Sequence, residues 1–174
     1  MNNALPRRKP NRLKGYDYSF PGSYFITICT ENCRNLFWNR ELNTDSFHWL
    51  TVGANCVRPQ NLPLSNIGEI VCKELEVWQQ TYPAVHLNAF VIMPNHLHIL
   101  LSISALENGR TQFAPTISRM VKQFKGSITK QLHQSIWQKS FFEHIIRDDN
   151  DYITKLTYLC ENPLRWNLDE FNQS

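Results

Sequence analysis

The stretch Met93-Pro94-Asn95-His96-Leu97-His98-Ile99-Leu100-Leu101 decides both the fold and the chemistry. Side chains alternate along a β-strand, so a strand over 96–103 sends His96 and His98 to one face and Leu97 and Ile99 to the core. Residues 87–93 read as a second strand, with Pro94-Asn95 the turn or bulge between the two. Two imidazoles about 7 Å apart along one strand can converge on a single divalent ion. They stand beside a strand–loop break, where sites are often exposed. A pair of surface histidines on a half-buried strand has the same spacing, so a metal reading needs a third ligand.

Working outward, Tyr24-Phe25-Ile26-Thr27-Ile28-Cys29-Thr30 is rich in β-branched and aromatic residues and predicts the first strand. Residues 31–64 read as a loop or irregular hairpin, with Leu50-Thr51-Val52 a weak strand. From Ser65 the apolar residues Ile67, Ile70, Val71, Leu75 and Trp78 recur at helical spacing, with Ser65 or Asn66 as N-cap. A second helix is predicted over 115–132, with Ile117, Met120, Val121, Phe124 and Ile128 as its buried stripe. Arg119, Lys122 and Lys130 lie opposite that stripe and Lys125 to one flank. A strand over 141–147 and a helix over 148–161, closed by Asn162-Pro163, complete the order. That order is α+β: a ferredoxin-like (RRM/palm-type) split βαβ plan, with an antiparallel sheet, helices on one face and an additional C-terminal helix. Residues 1–22 read as a basic extended arm and 23–174 as a single domain.

The chain has 174 residues, enough for one ordinary domain, and 42% of them are hydrophobic, which excludes a disordered chain. The most apolar stretch, 87–103, is broken by Pro94, Asn95, His96 and His98 and cannot span a membrane. The basic N-terminus lacks an apolar core, and the five cysteines form no CxxC pair, so reduced thiols in a cytoplasm are expected. The net charge of +3 is unevenly placed. Arg7, Arg8, Lys9, Arg12 and Lys14 occupy an acid-free segment 1–16, and Arg110, Arg119, Lys122, Lys125, Lys130 and Lys139 an acid-free segment 108–142. These eleven leave seven basic residues elsewhere against all 15 acidic ones. Two cationic blocks on an acidic body suit a polyanion, nucleic acid first, and a solvated tail with an ordinary surface helix equally well.

On the last helix, Tyr152, Ile153, Leu156, Leu159 and Cys160 form an apolar face, and Asp151, Lys155, Tyr158 and Asn162 line another side. Tyr158 thus stands outside the buried stripe with an amide one turn after it. A helix-edge tyrosine followed by a C-terminal cap is the plain alternative. Joined to the histidines, the set suggests chemistry. Two imidazoles and an amide oxygen suit Mg²⁺ or Mn²⁺ with positions open for phosphate oxygens. A tyrosine hydroxyl can attack a polarised phosphate. A phenol with a pKa of about 10 needs activation, which a metal or Lys155 could supply.

These residues resemble the HUH (His-hydrophobe-His) single-tyrosine transposases, and more closely the REP-associated tyrosine transposases of bacteria. The matching segments are Gly15-Tyr16-Asp17-Tyr18, the strand 24–30, Ile67-Gly68-Glu69-Ile70-Val71, Met93–His98, Trp137-Gln138, Phe142–Arg147, and Tyr158 with Asn162-Pro163. They run in order over almost the whole chain. The resemblance implies a palm-type core, with His96 and His98 as metal ligands and Tyr158 as nucleophile on a catalytic C-terminal helix. Asn162 stands where related transposases complete the metal site, though with Asn in place of their usual Gln. The resemblance further implies cleavage and rejoining of single-stranded DNA beside imperfect hairpins through a 5′-phosphotyrosine, with Mg²⁺ or Mn²⁺ and no nucleotide cofactor. The expected partner is single-stranded DNA with a hairpin, contacted by the arm and by Arg119, Lys122, Lys125 and Lys130. Family members act as swapped dimers or as monomers. No long hinge precedes Asp148, which favours a monomer. His144 fits either a structural or a catalytic role, while Trp137, Trp166 and Phe141-Phe142 read as core or strand anchors. A non-catalytic RRM-like nucleic-acid binder and a phosphodiesterase that uses water are the competing functions.

Overall fold

A computed structural model describes residues 21–39, 48–52, 56–104 and 116–168. The basic residues Arg7, Arg8, Lys9, Arg12 and Lys14 lie outside these, as does Arg110. Six strands form one sheet: β1 (Gly22–Cys29), β2 (His48–Val52), β3 (Cys56–Gln60), β4 (Val85–Ile92), β5 (His96–Ile103) and β6 (Phe142–Ile145). Three helices accompany them: α1 (Asn66–Thr81), α2 (Ile117–Leu132) and α3 (Asp149–Glu161). The strand order is β2-β3-β4-β5-β1-β6. Its last four strands are mutually antiparallel and carry the ferredoxin-like plan.

The sheet is wider than the sequence indicates. The weak strand at 50–52 lies within β2, which pairs with β3 as a hairpin. That hairpin joins the sheet through the parallel contact Val57↔Ala89. The parallel sense follows from connectivity, because β3 leads into α1 and α1 returns along β4 as a crossover.

Local chemistry explains the helix limits. The Ser65 hydroxyl accepts from the Gly68 amide at 3.1 Å at the start of α1. Thr116 caps α2 through the Arg119 amide, and α2 ends at His133 in the left-handed conformation with φ 54°. Asp148 caps α3 through the Asp151 amide at 2.9 Å. The stripe Ile117, Met120, Val121, Phe124 and Ile128 is buried, as its spacing predicts. It packs with Val71, Leu75 and Trp78 of α1 against Leu97, Ile99 and Leu101 on one sheet face.

The opposite face has its own smaller core of Phe25, Ala89, Val91, Met93, Leu100 and Leu159, with Tyr152, Leu156 and Trp166 packed against it. α3 therefore roofs the face that carries the histidines. Its inward arc differs from the face read from the sequence. Tyr152, Leu156 and Leu159 point inward, but Ile153 is 58% exposed. A helix turns 100° per residue, so a roof seated on 152, 156 and 159 leaves 153 outside and draws the line of Lys155 and Asn162 toward the sheet.

Candidate active site

β5 places the histidines side by side. The register pairs Thr27 of β1 with His98 and Cys29 with His96. Strand alternation puts Leu97 and Ile99 in the main core and both imidazoles on the α3 face. The turn before them is tight: the Met93 amide donates to the His96 carbonyl at 2.8 Å. Pro94 lends its carbonyl to the amides of Leu36 and Phe37 at 2.8 and 2.9 Å, which clamps the turn to the loop after β1. Gly68 keeps that loop in place. A Cβ there would stand 2.3 Å from the Phe37 carbonyl oxygen, so α1 can approach only through glycine.

The two Nε2 atoms are 3.1 Å apart, with the rings at 70° to one another. His98 Nδ1 is 2.8 Å from Thr27 Oγ1, and His96 Nδ1 is 2.9 Å from Asn95 Oδ1. Phe25 stacks on His98 with centroids 5.1 Å apart. Both histidines are buried, not exposed as a strand-end site suggests, because α3 and the turn Asn162–Leu168 cover them. Burial disfavours the imidazolium strongly. It pulls the His96 pKa down to about 3. It holds His98 well below the usual range, with His96 and the Lys155 charge adding to the effect. Both rings are neutral at pH 7.

α3 brings Tyr158 to the same place. Its ring lies 5.2 Å from His98 and 6.0 Å from Phe25, both edge-on, and the residue remains 41% exposed. Lys155, one turn earlier, sets its ammonium 5.5 Å from the Phe25 ring centre. Asn162, one turn later, is 4% exposed with its side-chain nitrogen unpaired. It stands between Tyr158, which meets His98, and Trp166, whose ring is 6.1 Å from His96.

Several supporting residues carry no motif of their own. Thr27 and Asn95 hold the imidazoles, and their only sequence signal is position: one lies across the sheet, the other next in the chain. His144 is paired with Asp151, its Nε2 2.8 and 2.9 Å from the two carboxylate oxygens. The Arg147 amide donates to the same carboxylate at 3.1 Å, so β6 and the first turn of α3 are joined. A run of hydrogen bonds from Ser23 through Ser102 and Asn88 to the Tyr152 hydroxyl fixes α3 further along.

Trp137 is an anchor, buried against Phe37 and Phe124. Trp166 instead walls the histidine pocket. Phe141 packs on the main core, but Phe142 is 52% exposed. It is paired with Thr27, which is paired with His98, so one row across the sheet carries all three on the α3 face.

The basic helix divides in two. Arg119, Lys122 and Lys130 lie on the outer side of α2, across the sheet from Tyr158. Lys125 is engaged elsewhere, because its ammonium donates to the Gln138 and Ser140 carbonyls at 2.8 and 2.7 Å and ties α2 to the segment before β6.

Among the described residues no three His, Cys, Asp or Glu side chains cluster to hold a metal. A site here would use His96, His98 and an amide. The donors fit: two ligands about 2.1 Å from one ion and at right angles lie about 3 Å apart. Asn162 is buried with its side-chain nitrogen unpaired, and an amide would ligate a cation through its oxygen. Among the described residues no helix is long and apolar enough to cross a membrane, and Cys29, Cys33, Cys72 and Cys160 form no disulfide.

No family model matches the chain. It is 30% identical to an uncharacterized protein of Haemophilus influenzae over 97% of this chain and 95% of that one. It is 32% identical over 79 residues to the REP-associated tyrosine transposase of Escherichia coli K12, a match that covers 45% of this chain and 44% of the relative. The chain thus matches less than half the length of that curated transposase. Its fold matches the structure of a REP-associated tyrosine transposase bound to a REP hairpin, with TM-score 0.56 and 20% identity over 91% of this chain and 77% of that one. Over part of its sequence and in its fold, the chain is similar to REP-associated tyrosine transposases.

Proposed function

We propose that this chain is a metal-dependent endonuclease and strand transferase for single-stranded DNA, cutting and rejoining beside a hairpin through a 5′-phosphotyrosine on Tyr158. The observation that carries this is the placement of Tyr158, a partly exposed phenol, against the paired neutral imidazoles of its own chain. An Mg²⁺ or Mn²⁺ ion held by His96, His98 and Asn162 would withdraw charge from the scissile phosphate. The Tyr158 hydroxyl attacks phosphorus, a phosphorus–tyrosine bond forms, and the bond to the 3′ oxygen breaks. The phenol loses its proton to solvent and the departing oxygen leaves as a 3′-OH. Rejoining reverses these steps without ATP, because the phosphotyrosine keeps the bond energy. Lys155, one turn before Tyr158, is placed to favour the phenolate or contact the phosphate.

The neighbouring fold was solved with a REP hairpin, and this chain offers two surfaces for such a partner. Arg119, Lys122 and Lys130 on the outer side of α2 suit the phosphates of a duplex stem. Phe142 offers a stacking surface to an unpaired base on the face that carries Tyr158. Tyr158 lies against His98 of its own chain, which supports reaction in cis by a monomer.

The non-catalytic RRM-like alternative requires exposed aromatics on the central strands. The central-strand aromatics Tyr24 and Phe25 are buried. The test is incubation with Mg²⁺ or Mn²⁺ and a labelled single-stranded hairpin oligonucleotide. A denaturant-resistant protein–DNA adduct is expected, lost in Tyr158→Phe while binding persists. Cutting that survives Tyr158→Phe would establish attack by water, and binding without cutting would establish a pure binder.

A further inference from the structure

We propose that Thr27 sets the tautomer of His98, and that its hydroxyl lets this imidazole change tautomer when a divalent cation binds. The inference rests on the metal site proposed above and concerns how this chain prepares it.

The hydrogen bonds around the histidines have a direction that can be worked out atom by atom. The Asn95 side-chain nitrogen donates to the Cys33 carbonyl at 2.9 Å, so the Asn95 side-chain oxygen faces His96. An amide oxygen only accepts, hence His96 Nδ1 carries the hydrogen. A neutral imidazole has one N–H, so His96 Nε2 presents a lone pair. His98 Nε2, 3.1 Å away, must supply the hydrogen for that contact. His98 Nδ1 is then an acceptor, and the Thr27 hydroxyl donates to it at 2.8 Å. The chain runs one way: Thr27 to His98, His98 to His96, His96 to Asn95.

His96 is therefore already in the ligating tautomer, locked by Asn95, and His98 is not. For both Nε2 atoms to face one cation, His98 must lose the hydrogen on Nε2 and gain one on Nδ1. The proton count of the protein does not change. The new Nδ1–H is buried and needs an acceptor, since His98 is 2% and Thr27 7% exposed. Thr27 can provide it because a hydroxyl both donates and accepts. An amide in the orientation of Asn95 could serve only one tautomer. The two supporting residues thus have different work: Asn95 holds one ligand ready, and Thr27 accommodates the other in both states.

The test uses the full chain as wild type, Thr27→Val and Thr27→Ser. Ring-nitrogen NMR of the ¹⁵N-histidine protein reads the tautomers directly. The expected result is Nδ1–H on His96 and Nε2–H on His98 without metal, and Nδ1–H on both with saturating Mg²⁺. Mn²⁺ affinity measured by electron paramagnetic resonance should fall about 10–100-fold in Thr27→Val and return in Thr27→Ser. His98 already Nδ1-protonated without metal, or equal Mn²⁺ affinity in wild type and Thr27→Val, overturns the role of Thr27 while leaving the metal site standing. A wild type that binds no Mn²⁺ overturns the metal site itself, and this inference with it.

Discussion

His96 and Tyr158 are far apart in sequence, yet His98 links them: its Nε2 is 3.1 Å from that of His96 and its ring 5.2 Å from that of Tyr158. The site is a joint between β5 and α3, and its function depends on how firmly α3 is seated.

Asn162 is buried one turn after Tyr158 with its side-chain nitrogen unpaired, and the proposed metal site would use its oxygen. Asn162→Ala should weaken Mn²⁺ binding by about tenfold or more, and Asn162→Asp, which adds a second oxygen there, should tighten it. Calorimetric titration with Mn²⁺ checks both. Chelation should abolish the adduct with hairpin DNA, and Mn²⁺ should restore it.

Gly68 admits no Cβ, because the Phe37 carbonyl oxygen would lie 2.3 Å from it. Gly68→Ala should cost about 1–3 kcal/mol and lower Tm by about 2–4 °C per kcal/mol for a chain of this length. The Phe37 loop also clamps Pro94, so thermal unfolding and Mn²⁺ affinity should deteriorate together.

Asp151 joins α3 to β6. The His144 ring, and then the Arg147 amide, hold its carboxyl below the ordinary carboxylate pKa. A depressed folded pKa contributes stability that is complete above the unfolded pKa of about 4 and is lost as pH falls through the folded value. Denaturant unfolding of wild type and Asp151→Asn should differ by a constant amount between about pH 5 and pH 7, and the difference should shrink below about pH 4.

Phe142 stands two strands from His98, about 10 Å at the backbone. Phe142→Ala should weaken binding of single-stranded DNA by about 1–3 kcal/mol, and Phe142→Trp should retain it. Quenching of 2-aminopurine placed beside the cleavage position reports the stacking.

Arg119, Lys122 and Lys130 lie across the sheet from Tyr158. Replacing all three with Ala should make hairpin binding less sensitive to salt, by about 0.9 in logarithmic slope for each phosphate no longer neutralised. Adduct yield at saturating DNA should not change. Lys125→Met should act on stability instead, since its ammonium serves two backbone carbonyls.

Local pattern by itself determined the four-stranded plan, the Ser65 cap, the buried stripe of α2, and the shared face of His96 and His98. Each depends on residue type or on a repeat of about 2 or 3.6 residues, which the chain displays directly. The same periodicity selected Tyr158 as the aromatic at the margin of α3. What it could not supply was the second face. Which side of the sheet α3 covers, and hence that the histidines are buried and neutral, depends on packing between segments far apart in the chain. Thr27 and Phe142 reached the site only through sheet register, and Lys125 left the basic surface only because two carbonyls stood within reach. Residue type and spacing set what a side chain can do, but burial and partners set its charge and tautomer, and those arise only when strands and helices meet.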